Sequence, residues 1–198
     1  MKLMSMAVLL AACIGAAQSP QSPAPETTPS AMDAAQLAPL IKQQFGSTFT
    51  LAEKFKPLAI TADFDSDGVE DIAIVANSKD PLPDSYAFKY QVGDPYHAYF
   101  GVADPRIAAG FNADPEHTHV LLVIFGSGKD AWHAPTPKAK FALVNVPCDS
   151  VEVGRMLISK KKPPIFMIKT VEARLMESAI YWNARHKKWV YQPGDTLD

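Results

Sequence analysis

The feature that most restricts how this chain can fold is a short acidic run enclosed between two β-prone runs. Residues 63–75 read Asp63-Phe64-Asp65-Ser66-Asp67-Gly68-Val69-Glu70-Asp71-Ile72-Ala73-Ile74-Val75. Carboxylates stand at relative positions one, three, five and nine, with glycine at six. Alternate oxygens turned inward, around a residue free to take positive φ, are what a hard cation wrapped by a tight turn requires. The run therefore predicts a cation turn. The plain alternative is a solvated acidic turn, which would have to bear the mutual repulsion of its carboxylates. The flanks, residues 58–61 and 72–76, are short and apolar with β-branched members, so the turn should join two strands as a hairpin.

Asp63-Phe64-Asp65-Ser66-Asp67-Gly68-Val69-Glu70-Asp71-Ile72-Ala73-Ile74 is similar to the Asp-x-Asp-Gly-Asp-Gly-x-x-Asp-Leu-x-Val signature of FG-GAP, or VCBS-type, repeats. These occur in integrin α-subunit propellers and in many secreted bacterial proteins. The resemblance implies that the side chains of Asp63, Asp65, Asp67 and Asp71, with the carbonyl of Val69, bind a structural Ca²⁺ between adjacent strands. Ser66 replaces the usual Gly, a modest departure for a residue that stays at negative φ. Residues 125–128 and 181–189 look loosely like further pieces of the repeat. The match covers about one hairpin, and a seven-bladed propeller needs far more chain than 198 residues. The expectation is a single propeller-blade-like hairpin within another sheet.

Two other readings of the run fit less well. An EF-hand needs a bidentate Glu at position twelve and flanking helices, whereas Ile74 stands there between β-prone flanks. The aspartyl-phosphate hydrolase pattern would make Asp63 a nucleophile and Asp65 a general acid/base beside Mg²⁺. Against it, Asp67 stands where Thr or Val is usual, and a strand follows at once where a helix-bearing unit is needed. This Mg²⁺-dependent hydrolase is the alternative function carried forward. The chain has no Gly-x-Ser-x-Gly elbow, Walker loop or zinc signature, so no catalytic residues are assigned.

The N-terminus reads as an export signal, with Lys2 followed by an apolar run. Two processing outcomes are open. Cleavage after Ala17 would use small residues at 15–17, whereas the sequence Leu10-Ala11-Ala12-Cys13 resembles a lipobox, making residues 1–12 the signal and Cys13 a lipidated first residue. Residues 18–29 are polar and proline-punctuated, which predicts an extended tether. Residues 30–198 should form one β-rich domain. An exported protein, periplasmic or secreted, with or without a lipid anchor to the outer membrane, follows from these segments. No later run approaches the roughly 20 apolar residues of a membrane-spanning helix. A formal net charge of -2 with both signs intermixed gives no electrostatic footprint for nucleic acid.

Within the domain, Ser30 or Asp33 should cap a short helix whose stripe is Leu37, Leu40, Ile41 and Phe45 and which stops at Gly46. Pro39 should lie in its first turn or kink it. Further strands are expected at residues 120–125, 141–146, 165–168, 179–182 and 188–191, the last two a hairpin turning through 183–186. The expected class is thus mainly β, an antiparallel sheet with one N-terminal helix and a long insertion. That insertion, residues 80–119, has four Asp-Pro turn initiators and many aromatic residues, so it should be ordered, pack over the sheet and offer any surface for a protein or glycan partner. His117 and His119 are spaced to face one way on a strand, although no third ligand accompanies them. Cys148, followed by Asp149, is expected to be a buried inert thiol.

Overall fold

The computed structural model describes residues 32–102, 118–173 and 176–194. The expected signal segment and tether, Cys13 and His117 lie outside them. Helix α1 (Ala34–Phe45) opens where Asp33 accepts a hydrogen bond from Ala35 N at 3.2 Å. Pro39 therefore falls in the helix interior rather than at its start, and the cap settles on Asp33. Gly46, at φ 90°, ends the helix in the left-handed region, and a Cβ there would run into the Asp84 carboxylate and Phe88. Lys140 Nζ closes the same end by donating to Gln44 O at 2.6 Å.

Ten strands form two sheets. In the first, β3 (Asp71–Ser78), β5 (Thr118–Phe125) and β6 (Ala139–Pro147) run antiparallel in that spatial order. Strands β1 (Phe49–Leu51) and β2 (Ala59–Ala62) share the outer side of β3, pairing with its two ends. On the far edge, β4 (Gln91–Gly93) pairs with β6 in parallel. The second sheet is an antiparallel meander, β7 (Ser150–Met156), β8 (Ile165–Glu172), β9 (Met176–Asn183) and β10 (Lys188–Pro193). The chain is mainly β, as its sequence suggests.

Strand alternation divides the core between the two faces of the first sheet. Ile72, Ile74, Val120, Leu122, Ile124, Ala142 and Val144 face α1 and pack with Leu37, Ile41 and Phe45. Their neighbours Ala73, Val75, Leu121, Val123, Phe125, Phe141 and Leu143 face the second sheet and meet Ile168, Ile180, Trp189 and Tyr191. The middle strands are buried on both faces and so read as continuous apolar runs. Asn145 interrupts this parity at φ 56°, so Val146 joins Leu143 on the second-sheet side. The β5–β6 register shifts there, the mark of a β-bulge.

The insertion holds helix α2 (Ser85–Phe88), β4 and helix α3 (Pro95–Tyr99). Its described part, through residue 102, does not simply lie over the sheet but carries the chain to the opposite edge, where β4 extends the sheet. Among the described residues, its packed aromatic side chains divide between two places. Tyr90 packs on Phe45 and Phe49, while Tyr96 and Tyr99 pack edge-on against Tyr191 of β10. Ile107 and Phe111 lie outside the described residues.

Candidate metal centre

The acidic run is the turn between β2 and β3, where Ala62 pairs with Asp71. Asp63 draws the turn tight, its two oxygens accepting from Asp67 N at 3.0 Å and Gly68 N at 2.8 Å. Asp67 Oδ1 accepts from Val69 N at 2.8 Å. Gly68 takes φ 87°, as position six requires. Ser66 departs from expectation, adopting φ 61° rather than remaining negative, at a cost of order 1 kcal/mol for a residue with a Cβ.

Asp71 is 1% exposed and anchors the whole turn. One of its oxygens accepts from Phe64 N at 2.8 Å and Asp65 N at 3.3 Å, and the other from Gly126 N at 2.8 Å. Burial pushes its carboxyl up to about 7, against these donors, which favour the anion. Gly126 sits so close that an added Cβ would collide with the Glu70 carbonyl. The end of β5 is thus drawn onto the loop, and Trp132 Nε1 adds a bond to Glu70 Oε2 at 3.1 Å.

Ligand oxygens of Asp63, Asp65 and Asp71 lie within 4.8 Å of one another, close enough to share one ion. Asp67 is not drawn into this group. Its Oδ2 turns to Lys138 Nζ at 2.6 Å, and Asp65 Oδ2 meets the same ammonium at 2.6 Å. The Asp65 side chain is 4% exposed, and its Oδ1 has no hydrogen-bond partner among the described residues. A buried carboxylate oxygen without a donor is costly, and a cation would satisfy it. The electrostatics divide accordingly. Burial raises the Asp65 pKa despite Lys138, whereas the bond to Lys138 lowers that of the more exposed Asp67. On Lys138 burial opposes the charge, yet its bonds to Asp65 and Asp67 outweigh it and raise the pKa. Val69, the expected carbonyl ligand, follows in the loop, its side chain beside Gly126.

Lys138 is the participant that sequence reading misses. It lies 71 residues beyond Asp67, and no local pattern separates it from the other basic residues.

The other candidate residues are spread over the molecule. His119 lies across from Asn77, Nδ1 to Oδ1 3.1 Å, with its ring edge-on to Phe55. Both line a cavity of about 640 Å³ with Glu53, Lys54 and Asp149. Cys148 is fully buried, and burial, then Asp149 and Glu172, push its thiol up to about 12. A second polar centre was not legible in the sequence. Buried Asp94 caps α3 through His97 N at 2.9 Å and accepts from His97 Nδ1 at 2.8 Å and Asn145 Nδ2 at 2.6 Å. Comparison of the chain with protein-family models, curated proteins and solved structures returns no significant match.

Proposed function

We propose that this chain is an exported cell-envelope binding or scaffold protein in which the loop of Asp63, Asp65, Asp67, Val69 and Asp71 holds a structural Ca²⁺. The observation that carries the reading is the convergence of Asp63, Asp65 and Asp71 oxygens within 4.8 Å of one another, together with a buried Asp65 oxygen that no donor among the described residues satisfies. The resemblance to an FG-GAP loop and the all-oxygen donor set both favour Ca²⁺. The ion would pin the β2–β3 turn to the start of the β5–β6 connection, and so stabilise the fold rather than react.

The Mg²⁺-dependent hydrolase is less well supported. Both oxygens of Asp63, its nucleophile, are engaged by loop amides. Contact with a protein or glycan partner falls to the insertion, where Tyr86 is 95% exposed.

Thermal melting of the full chain with Ca²⁺, Mg²⁺ or chelator tests the metal reading. A native-state ligand at a hundredfold excess over its dissociation constant adds about 2.7 kcal/mol, which for a domain of this size is a rise of roughly 5–10 °C. The rise should come with Ca²⁺, hardly with Mg²⁺, and disappear in Asp65→Ala. An unmoved midpoint in wild type at millimolar Ca²⁺ rejects the site, and Mg²⁺-dependent phosphatase activity lost in Asp63→Asn would install the alternative.

A further inference from the structure

Lys138 approaches the acidic loop from solvent. Its side chain is 47% exposed, while Asp65 beneath it is 4% exposed, so the ammonium covers the carboxylate. The backbone it hangs from is fixed, since Lys138 N donates to Phe125 O at 3.0 Å. The side chain reaches two of the loop's acids, Asp65 and Asp67, at 2.6 Å each. One ammonium answers only part of the charge of four carboxylates, and it leaves Asp65 Oδ1 without a partner among the described residues. A divalent cation bound by the same acids would neutralise more charge and fill that gap, but it repels an ammonium held on Asp65 and Asp67.

We infer that Lys138 is a tethered counter-ion that competes with the divalent cation for Asp65 and Asp67, so that metal entry and release of the Lys138 side chain are one exchange. The inference rests on the calcium reading of the loop and adds how the site is regulated. Lys138 holds the turn together without metal and weakens the affinity for metal. The site then reports the surrounding Ca²⁺ concentration instead of being permanently filled.

The test is calorimetric titration of the full chain with CaCl₂, in wild type and Lys138→Met. Removing an ammonium that makes two charge-assisted bonds should tighten Ca²⁺ binding roughly tenfold. Equal or weaker binding by Lys138→Met, with wild type binding, overturns the exchange and leaves the calcium site standing. Binding by neither chain removes the calcium reading and the exchange with it. Binding by Lys138→Met alone means that Lys138 shuts the ion out of the native chain, which overturns the exchange and, for the native chain, the calcium reading with it. Should Lys138→Met not fold, amine labelling of Lys138 in wild type, followed by peptide mass spectrometry, decides the matter. Labelling should rise several-fold when Ca²⁺ is added, whereas unchanged labelling at a Ca²⁺ concentration that saturates the calorimetric signal rejects the exchange.

Discussion

At the scale of single residues, the protein depends on buried polar groups whose partners are distant in sequence. Asp71 was legible as a loop acid from its spacing, yet its bond to Gly126 N spans 55 residues and gives no local signal. The same holds for Lys138, which the chain selects from 19 basic residues only by folding. Cys148 was more readable, because the following acid and the absence of a cationic neighbour already spoke against a reactive thiolate. Its burial permits a pH prediction. The folded thiol titrates at about 12, above the roughly 8.5 of an unfolded one, so the native state favours the neutral form. The stabilisation is complete below pH ~8.5 and lost as pH rises toward 12, with a slope of at most about 1.4 kcal/mol per pH unit. Cys148→Ala should flatten the decline in urea-measured stability between pH 8.5 and 10, where other groups contribute equally to both chains. At pH 8 the native thiol should also resist a disulfide reagent until the chain is unfolded. Rapid native labelling of Cys148 would contradict this account.

At the scale of elements, the seven strands expected from apolar runs all form, whereas β1, β4 and β7 were not foreseen. The reasons are physical. β1 and β4 have three residues each and exist only because β3 and β6 offer edges to pair with. β7 mixes Glu152, Gly154 and Arg155 into an edge strand that buries little beyond Val151, so its apolar signal is faint. The described part of the insertion, through residue 102, was legible as ordered because of its Asp-Pro turns and aromatic residues, but not its route, which depends on β4. One link secures that route. Asp94 caps α3 and also receives Asn145, the residue that makes the β6 bulge. Asp94→Ala would leave the Asn145 amide buried without an acceptor and α3 without its cap, a loss of about 2–4 kcal/mol. Urea denaturation should show this as a lower midpoint at an unchanged slope. In an Asn145→Gly background, where φ 56° is tolerated and the orphaned amide is absent, Asp94→Ala should cost at least ~1 kcal/mol less. Additive losses would mean that the helix cap and the bulge are independent.

At the scale of the whole molecule, the two sheets share one core. Phe125 and Phe141 of the first sheet meet Trp182 and Trp189 of the second, with ring centroids 5.1–6.0 Å apart. On the second sheet Glu152 and Glu177, both exposed, reach Lys169, and among the described residues no core cluster forms around them. A four-stranded meander that buries only one face depends on what that face meets. The second sheet should therefore not outlast the first, and the domain should unfold in a single transition. Trp189 is the residue on which to test this. It is 8% exposed among Phe64, Phe125, Phe141 and Trp182, and its indole N–H has no hydrogen-bond acceptor among the described residues, so what it contributes is packing. Trp189→Ala should cost about 3–5 kcal/mol. In wild type and variant alike, tryptophan fluorescence and far-ultraviolet circular dichroism should trace the same denaturation curve. The fluorescence midpoint reports chiefly Trp182 and Trp132 in the variant, one on each sheet's side of the molecule, so a separate early step would be visible. Such a step, with the first sheet and α1 still intact, would mean that the α1-facing layer is a folding unit in its own right. A coincident shift means that the interface between the sheets carries the stability of both, and that the ion proposed for the β2–β3 turn would act on the whole domain rather than on one hairpin.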